Sequence, residues 1–573
     1  MMMRMARRGG LPSGVSVLDI GIPVPLATPQ GRKAHGLSAP VPVLPASDVP
    51  IVAVIDDGIG FLNECSRMRA AGATTARTRF DGIWLQAPES AVGDPAEGIA
   101  LGRVLEPAQI DSYLADLTTL EEAAVYHALN TDPYPSGTRR ATGLSTNHGT
   151  GVLDIAAGIP EIRATAQDPL LMAVQLPPRS IEDTSGARFE AHILMGLRWI
   201  LARAALRHPG RPVVVNLSLG MLAGTKDGSH ILESQIEREL SLWEARTGRR
   251  ARLVMAFGNG FRNRQVARGT VAAGAALTLG WRVQPGDCSA NHLEAYGAGL
   301  DKLDMILTDP QGGVMTYPAE AIVDQGAATG GRVRKTDTAA LYRIAAQRLD
   351  GPRPCAPRLA ACIAATDPLT GSAALAGLWQ VSFTNTGTDP LDLRLEIQRD
   401  DRVTGAVNGV RQSYFDASGI EGEDSLFRDW NALPESCLLT EGGSHSALAG
   451  CLAPQIHTVG GLMQSVLRPA PYTAAGHPEG PVTGPSVSGI SDEGMIQCGV
   501  LAAGTLSGAV RMRNGTSAAA PQVTRAHSHC TSLRKAPSGD AAADRAGEIA
   551  ELASGRDRLN WLVPQDARAR LGK

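Results

Sequence analysis

Four separated segments carry residue types suited to nucleophilic acyl transfer. Val52-Ala53-Val54-Ile55-Asp56-Asp57-Gly58-Ile59 ends an apolar run in a carboxylate. His148-Gly149-Thr150-Gly151-Val152 places an imidazole ahead of small residues, and Asn514-Gly515-Thr516-Ser517-Ala518-Ala519-Ala520-Pro521 sets a hydroxyl among them. Met255-Ala256-Phe257-Gly258-Asn259 ends in a side-chain amide. A hydroxyl becomes a nucleophile when an imidazole takes its proton and a carboxylate fixes that imidazole. An amide nearby can donate to the oxygen that turns negative during the attack.

The elements that must hold these groups can be read locally. Residues 50–56 form a short apolar run bounded by turn residues, the pattern of a buried parallel strand. Functional groups of open α/β sheets gather at carboxyl ends of strands, where Asp56 falls. An Asx-turn closing through Gly58 reads the same residues without chemistry, and Asp57 rivals Asp56 as the acid. After His148, Val152, Ile155 and Ala156 fall at helical spacing and Gly158 is the stop. A histidine in a first helical turn is held rigidly, though a lone histidine also serves as plain structure. Pro521 is tolerated only near a helix start, so the helix must begin close to Ser517, placing its hydroxyl and N–H at the positive end of the dipole. An ordinary Ser/Thr N-cap is the bland alternative, as a Gly-Asn turn is for Asn259.

The order Asp, His, Ser and these four motifs resemble the subtilases, subtilisin-like serine endopeptidases. The resemblance implies a subtilisin-like α/β fold, a parallel sheet flanked by helices. It implies a triad of Asp56, His148 and Ser517 with Asn259 as oxyanion donor, acting on protein or peptide substrates without a metal. Ser218, Leu219 and Gly220, at the end of the β-branched run 212–220, are expected to pair with the extended substrate backbone. Gly258 is expected in the wall of the first specificity pocket, with Phe257 replacing a smaller residue. Gly151 stands where subtilases usually carry a second histidine. Structural calcium occurs in many members, but no residue here places one. A sedolisin-type peptidase would need an acid in place of His148. A catalytically silent binding module of the same fold would be marked by a lost triad or oxyanion residue, and each is present.

At 573 residues the chain predicts two domains or more. Lys plus Arg (54) nearly balances Asp plus Glu (57) and aromatics make up 4%, so nothing favours nucleic acid as a partner. No apolar stretch approaches the ~20 residues of a membrane span. The basic N-terminus lacks a continuous apolar stretch behind it, so no secretory signal is expected and a cytoplasmic location is. The eight cysteines form no Cys-x-x-Cys pair, and reduced thiols are the expectation.

Composition and patterning divide the chain into an extended lead-in at 1–48, a catalytic unit at 49–267 resumed at 445–534, an insert at 268–444 and a tail at 535–573. The insert is expected to hold a β-rich sandwich or jelly roll, because strand-like alternation recurs between turn signals. Residues 378–401, alternating on either side of Asn385–Pro390, predict a β-hairpin. Helices are predicted over 114–129 and 189–206, with an Asp132-Pro133-Tyr134-Pro135 turn after the first.

Overall fold

The apolar run that ends at Asp56 is the innermost strand of a nine-stranded sheet in the computed structural model. The structure describes residues 49–548 apart from 87–101, 132–146, 178–179, 181–188, 320–333, 345–356, 399–410, 417–422, 431–437 and several shorter stretches. The expected lead-in at 1–48 and the turn at Asp132 lie outside the described residues.

The strands preceding the insert are β1 (Ile51–Asp56), β2 (Phe80–Leu85), β3 (Arg103–Leu105), β4 (Leu170–Gln175), β5 (Val213–Leu217) and β6 (Ala251–Ala256). Those of the insert are β7 (Val266–Val271), β8 (Ala276–Val283), β9 (Asn291–Tyr296), β10 (Leu303–Thr308), β11 (Val314–Tyr317), β12 (Arg334–Lys335), β13 (Ala339–Ile344), β14 (Arg358–Ile363), β15 (Gly377–Asn385), β16 (Leu391–Ile397) and β17 (Tyr414–Asp416). After it come β18 (Ile456–Met463), β19 (Arg468–Pro469) and β20 (Val487–Asp492). The central sheet runs β19-β18-β6-β5-β1-β4-β2-β3 with β20 beside β18. Its pairs are parallel except β2 with β3 and β18 with β19.

The helices are α1 (Pro107–Tyr113), α2 (Glu122–Thr131), α3 (His148–Ala157), α4 (Phe189–Arg207), α5 (Ile231–Thr247) and α6 (Thr516–His529). Period-two alternation decides which face each strand residue serves. Ile51, Ala53 and Ile55 pack with Trp199 of α4 and Trp243 of α5, whereas Val52 and Val54 pack with Val152 and Leu153 of α3. Asp56 continues the second series, so the carboxylate is delivered to the face that carries His148. On β6, Val254 and Ala256 likewise join Ala519, Ala520 and Val523 of α6.

Of the helix predicted over 114–129 only residues 122–129 are helical, within α2; α1 lies wholly before that span and residues 114–121 form turns. A proline at N1 and a capping box between Glu106 and Gln109 start α1, and Leu114 caps it. Asp116 then takes hydrogen bonds from the Thr118 N–H and hydroxyl, a side-chain turn that competes with helix. The helix at 189–206 is α4, as predicted.

The insert folds as two antiparallel sheets, β11-β10-β15-β8-β17 and β12-β13-β14-β9-β16-β7, which share one apolar core around Trp281, Phe383, Leu395 and Phe415. Strand β7 begins just ahead of the expected boundary at 268 and pairs with β16. The predicted hairpin over 378–401 does not form. β15 and β16 lie in different sheets, and Asn385 turns the corner by donating to the Val271 and Asp389 carbonyls. Alternation tells which face of a strand is buried but not which strand lies beside it, so a corner between packed sheets reads like a hairpin.

The insert grips the loop after β5. Gly224 N–H donates to Glu294, the Tyr296 hydroxyl donates to the Gly224 carbonyl, Arg394 donates to the Thr225 carbonyl, and Lys226 pairs with Glu396. Cys65, Cys288 and Cys362 are thiols; burial pushes the Cys65 pKa well up. Among the described residues no helix is long and apolar enough to cross a membrane.

Candidate active site

The carboxylate arrives at the end of β1 fully buried, with Asp56 Oδ1 2.7 Å from His148 Nδ1. The same oxygen accepts the Asp57 N–H at 2.7 Å, which fixes its orientation. Of the two candidate acids, Asp56 is the one that holds the imidazole.

His148 is the first residue of α3 and remains partly exposed. Glycine at 149 is required there: its N–H donates to the Asp57 carbonyl at 2.7 Å, and an added Cβ would stand 2.3 Å from that oxygen. Thr150 accepts from the Gly60 N–H and donates to the Gly58 carbonyl, lacing the helix start to the loop after β1. At its other end Arg525 of α6 donates to the Asp154, Ile155 and Gly158 carbonyls. A guanidinium at a helix C-terminus is favoured by the dipole, and here it locks the imidazole's helix to the hydroxyl's.

Ser517 is the second residue of α6, and the N–H groups of a first turn have no partner within the helix. Its hydroxyl and His148 line one cavity. The Ser517 hydroxyl donates to the Ser218 carbonyl at 2.6 Å, and among the described residues no hydrogen bond joins it to His148. Gly515, at φ 95°, makes the turn into the helix, and its N–H donates to the Tyr472 hydroxyl at 2.8 Å.

Asn259 lies shortly after β6 and is exposed. Its Oδ1 accepts from the Thr516 N–H at 2.9 Å and the Thr516 hydroxyl at 3.0 Å. A backbone donor settles which end of the amide faces it, so Nδ2 is left as the donor end. Thr516 thus fixes the orientation of the amide, a contact that its motif alone does not reveal.

Ser218 is buried, Leu219 and Gly220 are half-buried, and all three follow β5 directly. Below them Asn216 donates to the Ser218 hydroxyl and accepts from Thr524 of α6. Gly258, at φ 136°, leaves room for the segment returning from the insert, since a Cβ there would lie 3.1 Å from His445 Cα. That segment is pinned by the Ser446 N–H to the Phe257 carbonyl and by the Met221 N–H to the Ser446 hydroxyl. Phe257 itself is fully buried and stacks on His445 at 5.0 Å, so its bulk is turned into the core.

A second polar cluster lies away from the cleft. His457 of β18, His527 of α6 and Glu548 bring one possible ligand atom each within 4.8 Å of one another, all buried. Glu548 belongs to the described part of the expected tail, where residues 543–548 are helical. Both its oxygens are bound by Arg252, at 2.5 and 2.7 Å, and Arg250 reaches it at 3.0 Å. Glu244 pairs with Arg252 and Asp544 with Arg250. Burial raises the Glu548 pKa, but the contact with His457 and the Arg252 guanidinium outweigh it and hold the carboxyl far below its usual range. His457 Nε2 stands 3.4 Å from Glu548. Burial lowers the pKa of both histidines, that of His527 strongly. The carboxylates are already committed to guanidinium groups, so the donor set suits a buried ion-pair network better than a dication.

A family model described as "Subtilase family" matches residues 47–544. No curated protein matches the chain. Among solved structures, the CspB protease of Clostridium perfringens is similar over 84% of this chain and 82% of that chain, with 15% sequence identity and a TM-score of 0.56. A Bacillus licheniformis lipase, BlEst2, aligns over 63% of this chain and 76% of that chain at 11% identity, with a TM-score of 0.17.

Proposed function

The chain belongs to the subtilase family of serine peptidases, and we propose that it is an endopeptidase whose triad is Asp56, His148 and Ser517 with Asn259 as oxyanion donor. The observation that carries the reading is the 2.7 Å contact of Asp56 with His148 at a cavity that Ser517 also lines.

An extended substrate lies along Ser218–Gly220, offering its N–H to the Ser218 carbonyl. That carbonyl holds the Ser517 hydroxyl in the free protein, so substrate competes for it and releases the hydroxyl toward His148. His148 Nε2 takes the proton as Oγ attacks the scissile carbonyl carbon, while Asp56 fixes the tautomer and stabilises the imidazolium. Asn259 Nδ2 and the Ser517 N–H receive the developing oxyanion. His148 then passes its proton to the leaving amine, and water repeats the sequence on the acyl-enzyme. None of these steps requires a metal or cofactor. Hydrolysis of an unstructured protein by the wild type, abolished in Ser517→Ala, is the expected outcome; equal hydrolysis by both would refute the assignment.

A further inference from the structure

The cavity at the triad holds a charge that acyl transfer does not use. Besides His148 and Ser517 it is lined by Ile155, Arg511, Arg513 and Asn514. Arg513 ends the strand Val510–Arg513, immediately before the nucleophile's turn. Its residue surface is only 8% exposed, and among the described residues no hydrogen bond reaches its buried Nε or Nη2. Burial and the neighbouring Arg511 lower its pKa to about 10, against the pull of Asp56, so it stays charged at neutral pH. Among the described residues the carboxylate that acts on it is Asp56, whose Oδ1 is committed to His148 and the Asp57 N–H, and no hydrogen bond joins its buried Oδ2 to the guanidinium. A buried guanidinium with unmet donors is costly unless a partner arrives later.

Space for this side chain is made on the imidazole's own helix. A Cβ at Gly151 would lie 2.7 Å from Arg513 Nε and 3.3 Å from its Cγ. The cavity is bounded by α3 and by residues 511–514, and Ser218–Gly220 take no part in its lining. It therefore lies beside the group that protonates the leaving amine, away from the strand that receives the acyl side.

We propose that this cavity is the leaving-group subsite and that Arg513, with the exposed Arg511 at its rim, selects substrates bearing a carboxylate there. The substrate class is a peptide with Asp or Glu just after the scissile bond, or one whose chain ends there in a free carboxylate. Planar guanidinium groups meet carboxylates in two parallel hydrogen bonds, and the water-poor wall strengthens them. The inference rests on the peptidase reading of Ser517.

The test compares cleavage of matched peptides carrying Asp or Asn after the scissile bond, and a second pair ending one residue after it as free acid or amide. Wild type, Arg513→Gln and Gly151→Ala are assayed, each also labelled with a fluorophosphonate. Labelling needs the nucleophile but no leaving-group contact, so its absence in the wild type is a failure of the peptidase reading. The expected result is a wild-type kcat/KM ratio favouring one or both acidic peptides by on the order of tenfold or more, since charge-assisted hydrogen bonds have that strength. The pair that shows it identifies the carboxylate as side-chain or terminal. The ratio should fall to near one in Arg513→Gln and fall in Gly151→Ala, where the charge remains but its seat is filled. Normal labelling with no acidic preference in the wild type overturns the proposal. So does a ratio unmoved in Arg513→Gln while the pH profile of kcat shifts, which would make the guanidinium a partner of Asp56 alone.

Discussion

Helix α6 joins two polar clusters built on different terms. Ser517 lies in its first turn and His527 in its last, ten residues on and so about 15 Å away. At the tail end of the helix the buried Glu548 and the half-buried Glu244 and Asp544 are matched to the buried Arg250 and Arg252. At its start, the Arg513 guanidinium keeps donors unspent at the edge of a cavity. A fold can bury charge for architecture when every charge has a partner. Where donors are held open at the cleft, the partner we propose is the substrate.

This contrast predicts that changes at the cleft cost turnover, whereas changes at the paired cluster cost stability. Ser517→Ala should lose on the order of 10⁶ in kcat, and Asp56→Asn on the order of 10⁴, because the imidazole loses its tautomer. Both should melt within a few degrees of the wild type; collapse of the fold in either would blur the distinction. Asn259→Ala should lower kcat by about 10²–10³ with little change in KM, as expected for a donor used chiefly in the transition state.

Glu548→Gln sharpens the comparison from the other side. Removing one member of a buried ion pair leaves guanidinium charge unmatched and costs about 3–5 kcal/mol. Thermal unfolding should register that loss while kcat per folded molecule stays near the wild-type value. A turnover defect as large as the triad variants' would erase the difference between the two regions.

The smallest effect expected is in the response to acid. Burial lowers the pKa of His457 and His527 below the ordinary 6.5, so the unfolded chain binds their protons first. Their contribution is therefore intact above about pH 6.5 and is lost as pH falls toward the folded values. Glu548, held low in the fold, adds acid sensitivity only below its unfolded pKa near 4.5. Melting temperature should thus drop between pH 7 and pH 5, and His527→Leu should flatten that drop. An unchanged slope in the variant would assign the sensitivity to other groups, His192 among them, whose pKa burial lowers to about 4.

What sequence revealed was what neighbours in the chain decide. The apolar run before Asp56, the helical spacing after His148 and the position of Pro521 each fix a local element, and the elements form as read. The partner of a strand is a tertiary choice, which is why residues 378–401 read like a hairpin although their two strands lie in different sheets. Arg513 had a faint signal: Arg511 and Arg513 alternate on one face just ahead of Asn514, but only the glycine at 151 shows where the guanidinium sits. Nothing local couples Arg252 to Glu548, 296 residues away, so the tail's role became readable only with the chain folded.

The most direct measurement is to react the protein with a fluorophosphonate and locate the adduct by tandem mass spectrometry, in the wild type and in His148→Ala. The account predicts phosphonylation of Ser517 alone in the wild type and a strongly slowed reaction without the imidazole. An adduct on any other residue, or peptide hydrolysis that persists with Ser517 unmodified, would contradict it.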